Sequence, residues 1–464
     1  MFSFLIFFMF VVIVDVRAND VKGKLYTDLV NDVCIVGAGI GGASTAYYMF
    51  QRNSSTTVRA FERRDYVGGR LKHVVIEGNV IEIGGDAWSS ANEYIGRIVK
   101  DLNVSVDEDA SRLPQDPVSD SLAVWNGETL IGVEETLLKH ALSDVKGLLE
   151  EAEFLRALRR NYRERGADPF QTIDEFLTFG DLTTYTKVSS SEYFDRHLIA
   201  NATQRDLVEP LLRTIYDQGL DAHAFASLVA VTSVVGAASA SEGNSALVEA
   251  MFNASAATVE LRTNVKSVER FQNGTFLLRT DASGVSGTHH CRTIALASPI
   301  EFCDVRFVGD LGHEMDRISR RPFEHNYVHL VTAKAVNGSY FGHAGARVPD
   351  TVLTTRDATS TPFVDVQLVA SLSGNRSLYK LFANQLIPST DLRRIFVNMS
   401  NVSVHRWTYT FPHLRPQNEG GYQPIEPAVG LVYLNAMESV ASAMEGSVIA
   451  GRNAAGLLYG VLNS

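Results

Sequence analysis

The sequence predicts an α/β fold: a parallel-sheet, Rossmann-type nucleotide-binding domain interrupted by an inserted α+β domain of helices and largely antiparallel sheet. Three observations predict it. Near the amino end, the apolar run Asp32-Val33-Cys34-Ile35-Val36 leads into Gly37-Ala38-Gly39-Ile40-Gly41-Gly42, a helical pattern from Ala43 to Gln51, and a second strand-like run, Thr57 to Phe61, that ends on Glu62. The middle of the chain changes from helical to strand-rich periodicity. Near residue 430 a strand, an acid and a helix return in that order.

The first unit fits G-x-G-x-x-G with an acid about 20 residues further on, the spacing of a dinucleotide fingerprint. Each position has its own chemistry. Gly37 permits the tight turn, Gly39 lets the backbone approach a pyrophosphate, and Gly42 lets the helix lie close to the sheet. Ala38 and Gly41 complete the loop, and the helix start presents free N–H groups to phosphate. Glu62 is placed to accept hydrogen bonds from ribose hydroxyls; an acid here argues against a 2′-phosphate despite Arg63 and Arg64.

Further along, Leu71 to Ile83 reads as a hairpin turning at Glu77-Gly78-Asn79. Gly84-Gly85 marks a turn or a close backbone approach. Asn92 to Leu102 is an amphipathic helix, and the acidic, proline-bearing stretch Glu108 to Asp120 hands over to the inserted domain. Val133 to Arg165 is helical, with Leu138, Leu142, Val145 and Leu149 on one face. Helix continues over Thr183 to Leu228, and Ala222 to Ala240 is small and apolar, a core helix or the wall of an apolar tunnel. Ser245 to Phe252 is a helix, Thr258 to Arg270 is strand-rich, Phe276 to Arg279 returns as a hairpin arm, and His290 to Ala297 is another strand. Val305 to Pro416 reads as largely antiparallel sheet. Gly430 to Asn435 is a strand, Ala436 to Ser439 a turn, and Ala441 to Leu458 a helix. The domains implied are a nucleotide-binding one over 31–115, 240–300 and 420–464, and an inserted one over 116–239 and 301–419.

The 464 residues are 45% hydrophobic and 20% charged, ordinary globular usage, and the net charge of −11 offers nothing to nucleic acid. Zinc-type cysteine spacing and internal repeats are absent, and no metal site is expected. Met1 to Val14 is almost wholly apolar and Val16-Arg17-Ala18 follows, which reads as a signal peptide over 1–18 and leaves no membrane span in the mature chain. Sequons at Asn53, Asn103, Asn201, Asn253, Asn273, Asn337, Asn375, Asn398 and Asn401 agree with the secretory route. Of the three cysteines, Cys34 reads as a buried small hydrophobe, and Cys291 and Cys303 are the candidate pair.

Glu62 to Arg70, with Gly68-Gly69-Arg70, resembles the extension found in flavoproteins of the amine-oxidase and glutathione-reductase-like superfamily. The resemblance implies FAD. It implies that Arg63, Gly69 and Arg70 follow the cofactor, that Gly84 and Gly85 pass its ring, that the Val265 backbone meets the adenine, that Glu438 reaches the ribityl, and that the helix opening at Met444 faces the pyrimidine end. Tyr216-Asp217-Gln218, Ala224-Phe225, Glu242-Gly243-Asn244, Val352-Leu353-Thr354-Thr355, Pro412-His413 and Tyr433-Leu434-Asn435-Ala436-Met437-Glu438 together resemble the prenylcysteine oxidase, or farnesylcysteine lyase, family. That resemblance implies a thioether oxidase which cleaves a prenylcysteine to prenyl aldehyde, cysteine and hydrogen peroxide. Molecular oxygen would be the acceptor, in a lysosomal or extracellular setting. The catalytic side chains are unassigned: His223 and Glu242 are ionisable and near the family's motifs, but satisfied or surface roles suit both. A flavin oxidase acting on amines and a non-catalytic lipid-binding glycoprotein are the alternatives.

Overall fold

The computed structural model describes residues 30–107, 122–132, 153–166, 168–233, 237–343, 347–418 and 420–464. The apolar leader, the stretch Glu108 to Asp120, the boundary near residue 115 and most of the helix expected from Val133, with Leu138, Leu142, Val145 and Leu149, lie outside them.

Among the described residues, eight strands form the first sheet. They are β1 (Asn31–Val36), β2 (Val58–Phe61), β3 (Thr258–Glu260), β4 (Thr263–Arg270), β5 (Phe276–Ala282), β6 (Val285–Leu296), β7 (Arg306–Val308) and β8 (Leu431–Tyr433). The order is β3-β2-β1-β6-β5-β4-β7, with β8 added against β6. Strand β6 divides the labour. Its first half pairs antiparallel with β5 in a meander, and its second half runs parallel to β1 on one side and β8 on the other. The parallel strands are apolar on both faces, as a sheet covered by helices must be; Val33, Cys34, Ile35, Ile294, Ala295 and Leu431 are inaccessible to solvent.

Five helices matter for the site: α1 (Ile40–Arg52), α2 (Glu93–Asp101), α3 (Ala224–Thr232), α4 (Ser245–Ser255) and α5 (Met444–Leu462). Helix α1 packs on α4 and α5. The crossing with α5 is close enough to need glycine: a Cβ on Gly451 would lie 1.9 Å from Ser44 Oγ and 2.6 Å from the Gly41 carbonyl oxygen.

Among the described residues, the second sheet has seven strands in the order Asn401–Trp407, Asn326–Ala333, Arg376–Ala383, Asp365–Leu372, Thr351–Thr354, Leu122–Trp125 and Leu130–Gly132. All neighbours are antiparallel except Thr351–Thr354 with Leu122–Trp125. The hairpin His73–Ile76 and Asn79–Glu82 turns where Glu77-Gly78 was expected to. It docks on this sheet: Ile81 and Ile83 pack with Val328, Leu330, Leu378 and Trp407, and the Trp407 indole donates to the Ile83 carbonyl.

Several expectations need correction. Cys34 is not a free thiol: it forms a disulfide with Cys291, and Cys303 is unpaired. The parallel pairing of β1 with β6 brings Cys34 beside Cys291, whereas Cys303 lies past the crossover that ends β6. The apolar stretch from Ala222 is helical only to Thr232, and Ala237–Ala240 is a strand between Trp88–Ser89 and Val106–Asp107. Thr183 to Leu228 is a series of short helices broken at Val188, Leu198 and Asp217, where extended or left-handed backbone ends each one. The last helix starts at Met444, because Leu434–Ser439 forms a 3-10 turn in front of it. Among the described residues no helix is long and apolar enough to cross a membrane, and no cluster of His, Cys, Asp or Glu is arranged for a metal ion.

Candidate functional site

The glycine loop leaves β1 against the crossover from β6. Gly37 has φ +107°, and a Cβ there would lie 2.8 Å from the Ala297 carbonyl oxygen. A Cβ on Gly42 would lie 2.2 Å from the Gly37 carbonyl oxygen, so only glycine lets α1 begin this close to the strand. Gly39 is different. Its φ is −81°, and a Cβ would meet nothing closer than the Gly68 carbonyl oxygen at 3.7 Å. Its glycine leaves room for a ligand, not for the fold. Gly41 faces Leu434, from the turn before α5.

Glu62 is buried and clamps this loop. One carboxylate oxygen accepts the Ala38 N–H at 3.1 Å, the other the Arg64 N–H at 2.9 Å. The loop is tied on its far side by the Gly68 N–H, which donates to the Ala38 carbonyl at 2.9 Å, and by the Gly39–Gly68 bridge. Gly69, with φ +64°, lies against Gly39. Arg63 is exposed and turns its guanidinium to the Phe302 carbonyl at 3.5 Å. Val265 sits buried at a bulge in β4, two residues past Thr263, whose N–H donates to the Glu62 carbonyl.

Two residues far apart in the chain meet beyond the loop. Arg70 forms an ion pair with Glu438, 368 residues away, and donates to the Thr410 carbonyl at 2.7 Å. Asn435 donates to the same Glu438 oxygen at 2.8 Å. The other carboxylate oxygen, Oε2, is buried with no partner among the described residues, and so is Asn435 Oδ1. Such orphaned acceptors are costly unless a ligand satisfies them. Arg321, singled out by no motif, fixes the turn that carries both residues. Its guanidinium reaches Glu301 at 2.7 Å, the Asn435 carbonyl at 2.9 Å and Ser439 Oγ at 3.1 Å.

Gly84 and Gly85 close the far end. A Cβ on Gly84 would lie 1.9 Å from the Arg70 carbonyl oxygen, and one on Gly85 would lie 2.6 Å from Leu71 Cδ2 and 3.9 Å from Met444 Cγ and Sδ. The glycine pair therefore lies at the start of α5, which no side chain caps. Its free N–H groups and partial positive charge suit an electron-rich ring. Asn244 is a second residue with no role foreseen. Wholly buried, it donates to the carbonyls of Gly85 and Asp86, each at 2.8 Å, and accepts the Ala240 N–H at 2.9 Å. The signal was Gly243-Asn244: Gly243 has φ +94° and presses against the His73 ring.

The ionisable candidates do not enter this crevice. His223 is fully buried. Nδ1 accepts the Ala226 N–H to cap α3, Nε2 faces the Ser439 carbonyl at 3.1 Å, and burial pushes its pKa down to about 4. It is a neutral structural histidine, and α3 is a core helix packed on Leu211, Leu212 and Tyr216. Glu242 is exposed. Glu445, also unanticipated, is buried under α2, where its two oxygens accept the Tyr94 and Ile95 N–H groups and burial raises its pKa to about 7.

The residues fit FAD. An open glycine cradle backed by a helix start suits the pyrophosphate, unpartnered Glu438 and Asn435 oxygens suit the ribityl hydroxyls, and Gly85 with the α5 start suits the ring. Solved structures agree in fold. The chain is similar to a putrescine oxidase double mutant at TM-score 0.63, with 17% identity over 93% of this chain and 100% of that one. It is also similar to cyclohexylamine oxidase from Brevibacterium oxydans IH-35A at TM-score 0.58 and 14% identity, over 94% of this chain and 100% of that one. Residues 35–102 match the NAD(P)-binding Rossmann-like domain. Among curated proteins it is 25% identical to farnesylcysteine lyase of Arabidopsis thaliana over 95% of this chain and 90% of that protein. With human prenylcysteine oxidase 1 it shares 26% identity over 92% and 88%. The prenylcysteine lyase model matches residues 147–464, a span that includes Glu438 and α5, and the chain belongs to that family.

Proposed function

We propose that this protein is an FAD-dependent thioether oxidase that cleaves prenylcysteine. The observation that carries the reading is the meeting of Arg70, Glu438 and Asn435 between the glycine cradle and Gly84-Gly85, with two buried acceptor atoms left for a ligand. FAD bound there supplies a two-electron acceptor for the hydride on the carbon beside sulfur, and molecular oxygen takes the electrons as hydrogen peroxide. The rest follows from the substrate. The sulfur lone pair stabilises the cation, water adds, and the hemithioacetal falls to prenyl aldehyde and free cysteine. The balance is thioether, water and oxygen to aldehyde, thiol and peroxide, so no side-chain nucleophile is required. This agrees with a neutral, capped His223 and an exposed Glu242. The chain's task is to hold, orient and exclude stray water.

The setting we infer is the secretory pathway, ending in lysosomes or outside the cell. The apolar leader supports it, as does the buried Cys34–Cys291 disulfide, a bond at home in oxidising compartments. Eight sequon asparagines (Asn53, Asn103, Asn201, Asn253, Asn273, Asn375, Asn398 and Asn401) are exposed. Asn337 is half-buried and already donates to the Arg394 carbonyl and accepts the Ser339 N–H.

The experiment is direct. The purified protein is yellow, and farnesylcysteine added without oxygen bleaches it, with farnesal and cysteine released in equal amounts. Bleaching by amines alone would replace the thioether reading with an amine oxidase; a colourless protein that binds the lipid would end the redox reading.

A further inference from the structure

Beside the glycine pair lies a charged cavity that the reaction outlined above does not use. It has a volume of about 60 Å³, room for roughly four to six waters, and its polar lining is Glu82, Asp86, Asp107, Ser239, Ser241 and Lys380. Glu82 ends the hairpin strand that leads into Gly84-Gly85. Its Oε1 accepts the Asn244 N–H, while Oε2 is buried with no partner among the described residues. Lys380 comes from the second sheet and is nine-tenths buried; its Nζ is 2.6 Å from Asp86 Oδ2. Asp86 is 45% exposed and forms the mouth. Asn244 ties Glu82, Gly85 and Asp86 together, its backbone N–H to Glu82 and its side-chain amide to the Gly85 and Asp86 carbonyls, so the cavity is fixed against the glycine pair.

An isolated carboxylate in such a place is expensive, and burial drives the Glu82 carboxyl up to about 7. A cationic group seated on Oε2 would relieve that cost. The cavity therefore offers an unsatisfied acid and a buried ammonium within one small volume, a pattern complementary to a zwitterion.

We propose that Glu82, Asp86 and Lys380 form a head-group subsite that binds the α-ammonium and α-carboxylate of the substrate's cysteine. Glu82 and Asp86 take the ammonium, and Lys380 takes the carboxylate. This rests on the thioether reading above and deepens it. Only the β-methylene separates the α-carbon from sulfur, so a head group held beside Gly85 keeps the thioether close to the ring position while the apolar tail extends away. The subsite gives specificity for a free amino acid over a cysteine still in peptide linkage, because an amide nitrogen carries no charge for Glu82.

The test compares farnesylcysteine, its N-acetyl form and its methyl ester on the FAD-loaded protein. Glu82→Gln raises KM for farnesylcysteine roughly tenfold or more relative to its effect on the N-acetyl form. Lys380→Met with Asp86→Asn, made together so that neither member of that ion pair is left alone, discriminates likewise between farnesylcysteine and its methyl ester. Thermal melting and the ratio of flavin to protein absorbance report whether each variant is folded and loaded. Equal effects on all three compounds, or none on any, would overturn the subsite while leaving the thioether reading intact. If the wild type shows no turnover, the same comparison is made by calorimetric binding of the three compounds. Selective loss of binding there supports the subsite although the oxidase reading has failed, and binding that is absent or unselective overturns it.

Discussion

The two ends of the crevice are made of different material. The cradle around Gly37 to Gly42 is backbone: amide groups, glycines and a helix start, steadied by the single carboxylate of Glu62. The end beside Gly85 is side chain: Glu82, Asp86, Asn244 and Lys380, brought from the hairpin, α4's approach and the second sheet. A cradle of backbone tolerates no added atoms but little depends on charge. A pocket of buried charges tolerates changes of shape better than loss of a partner.

The sharpest way to break this comparison lies within the cradle. Gly42→Val places carbon inside the Gly37 carbonyl contact and should cost on the order of 3 kcal/mol or more, giving aggregated or flavin-free protein. Gly39→Ala should leave the melting temperature of the flavin-free protein within about 2 °C, for its Cβ makes only ordinary van der Waals contacts with Gly68 and Gly69, yet weaken FAD binding at least tenfold. If both variants behave alike, Gly39 serves the fold and the cradle reading is wrong. Fluorescence titration with FAD and thermal melts separate the two.

At the side-chain end, Asn244→Ala removes three hydrogen bonds made by a wholly buried amide and should destabilise by about 3 kcal/mol, measured by urea unfolding. Removing the disulfide with Cys34→Ala and Cys291→Ala together should cost about 2–4 kcal/mol with flavin binding retained, since the bond lies within the sheet.

Counted per pH unit, the smallest effect per group is that of pH. Burial raises Glu82, Glu445, Asp217 and Asp365 to about 7. The folded state keeps these protons where the unfolded state has lost them, so each group's stabilisation is full below about pH 4 and is lost as pH rises to about 7. Burial lowers His223 and His329 to about 4, so their stabilisation is full above about pH 6.5 and is lost as pH falls toward 4. Each group contributes at most about 1.4 kcal/mol per pH unit. The four acids outweigh the two histidines between pH 5 and 7.5, and melting temperature should be higher at pH 5. A maximum near pH 8 would show that the acids are ionised in the folded protein.

The same contrast explains what could be read from residues alone. Gly37, Gly39, Gly42 and Glu62 were legible because a backbone cradle demands glycines and an acid at fixed spacing within one βαβ unit. The strand–turn–helix carrying Glu438 was legible through its family's motif. Lys380 and Asp86, 294 residues apart, were not, because neither residue type nor spacing marks a pair that only the docking of a hairpin on a second sheet creates. Cys34 and Cys291 failed likewise. Nearness in sequence favoured Cys303, whereas strand order decided the bond. Asn244 lay in a motif, but its hydrogen bonds to Gly85 and Asp86 appear only in three dimensions.

The separation of Arg70 and Glu438 by 368 positions also sets an order of events during translation. The glycine loop leaves the ribosome early, but Glu438 and α5 emerge only after the strands of the second sheet have been made. Nascent chains must wait with an unfinished crevice. A stop codon between Arg70 and Asn435 would yield a product that keeps the glycine loop and lacks Asn435, Glu438 and α5.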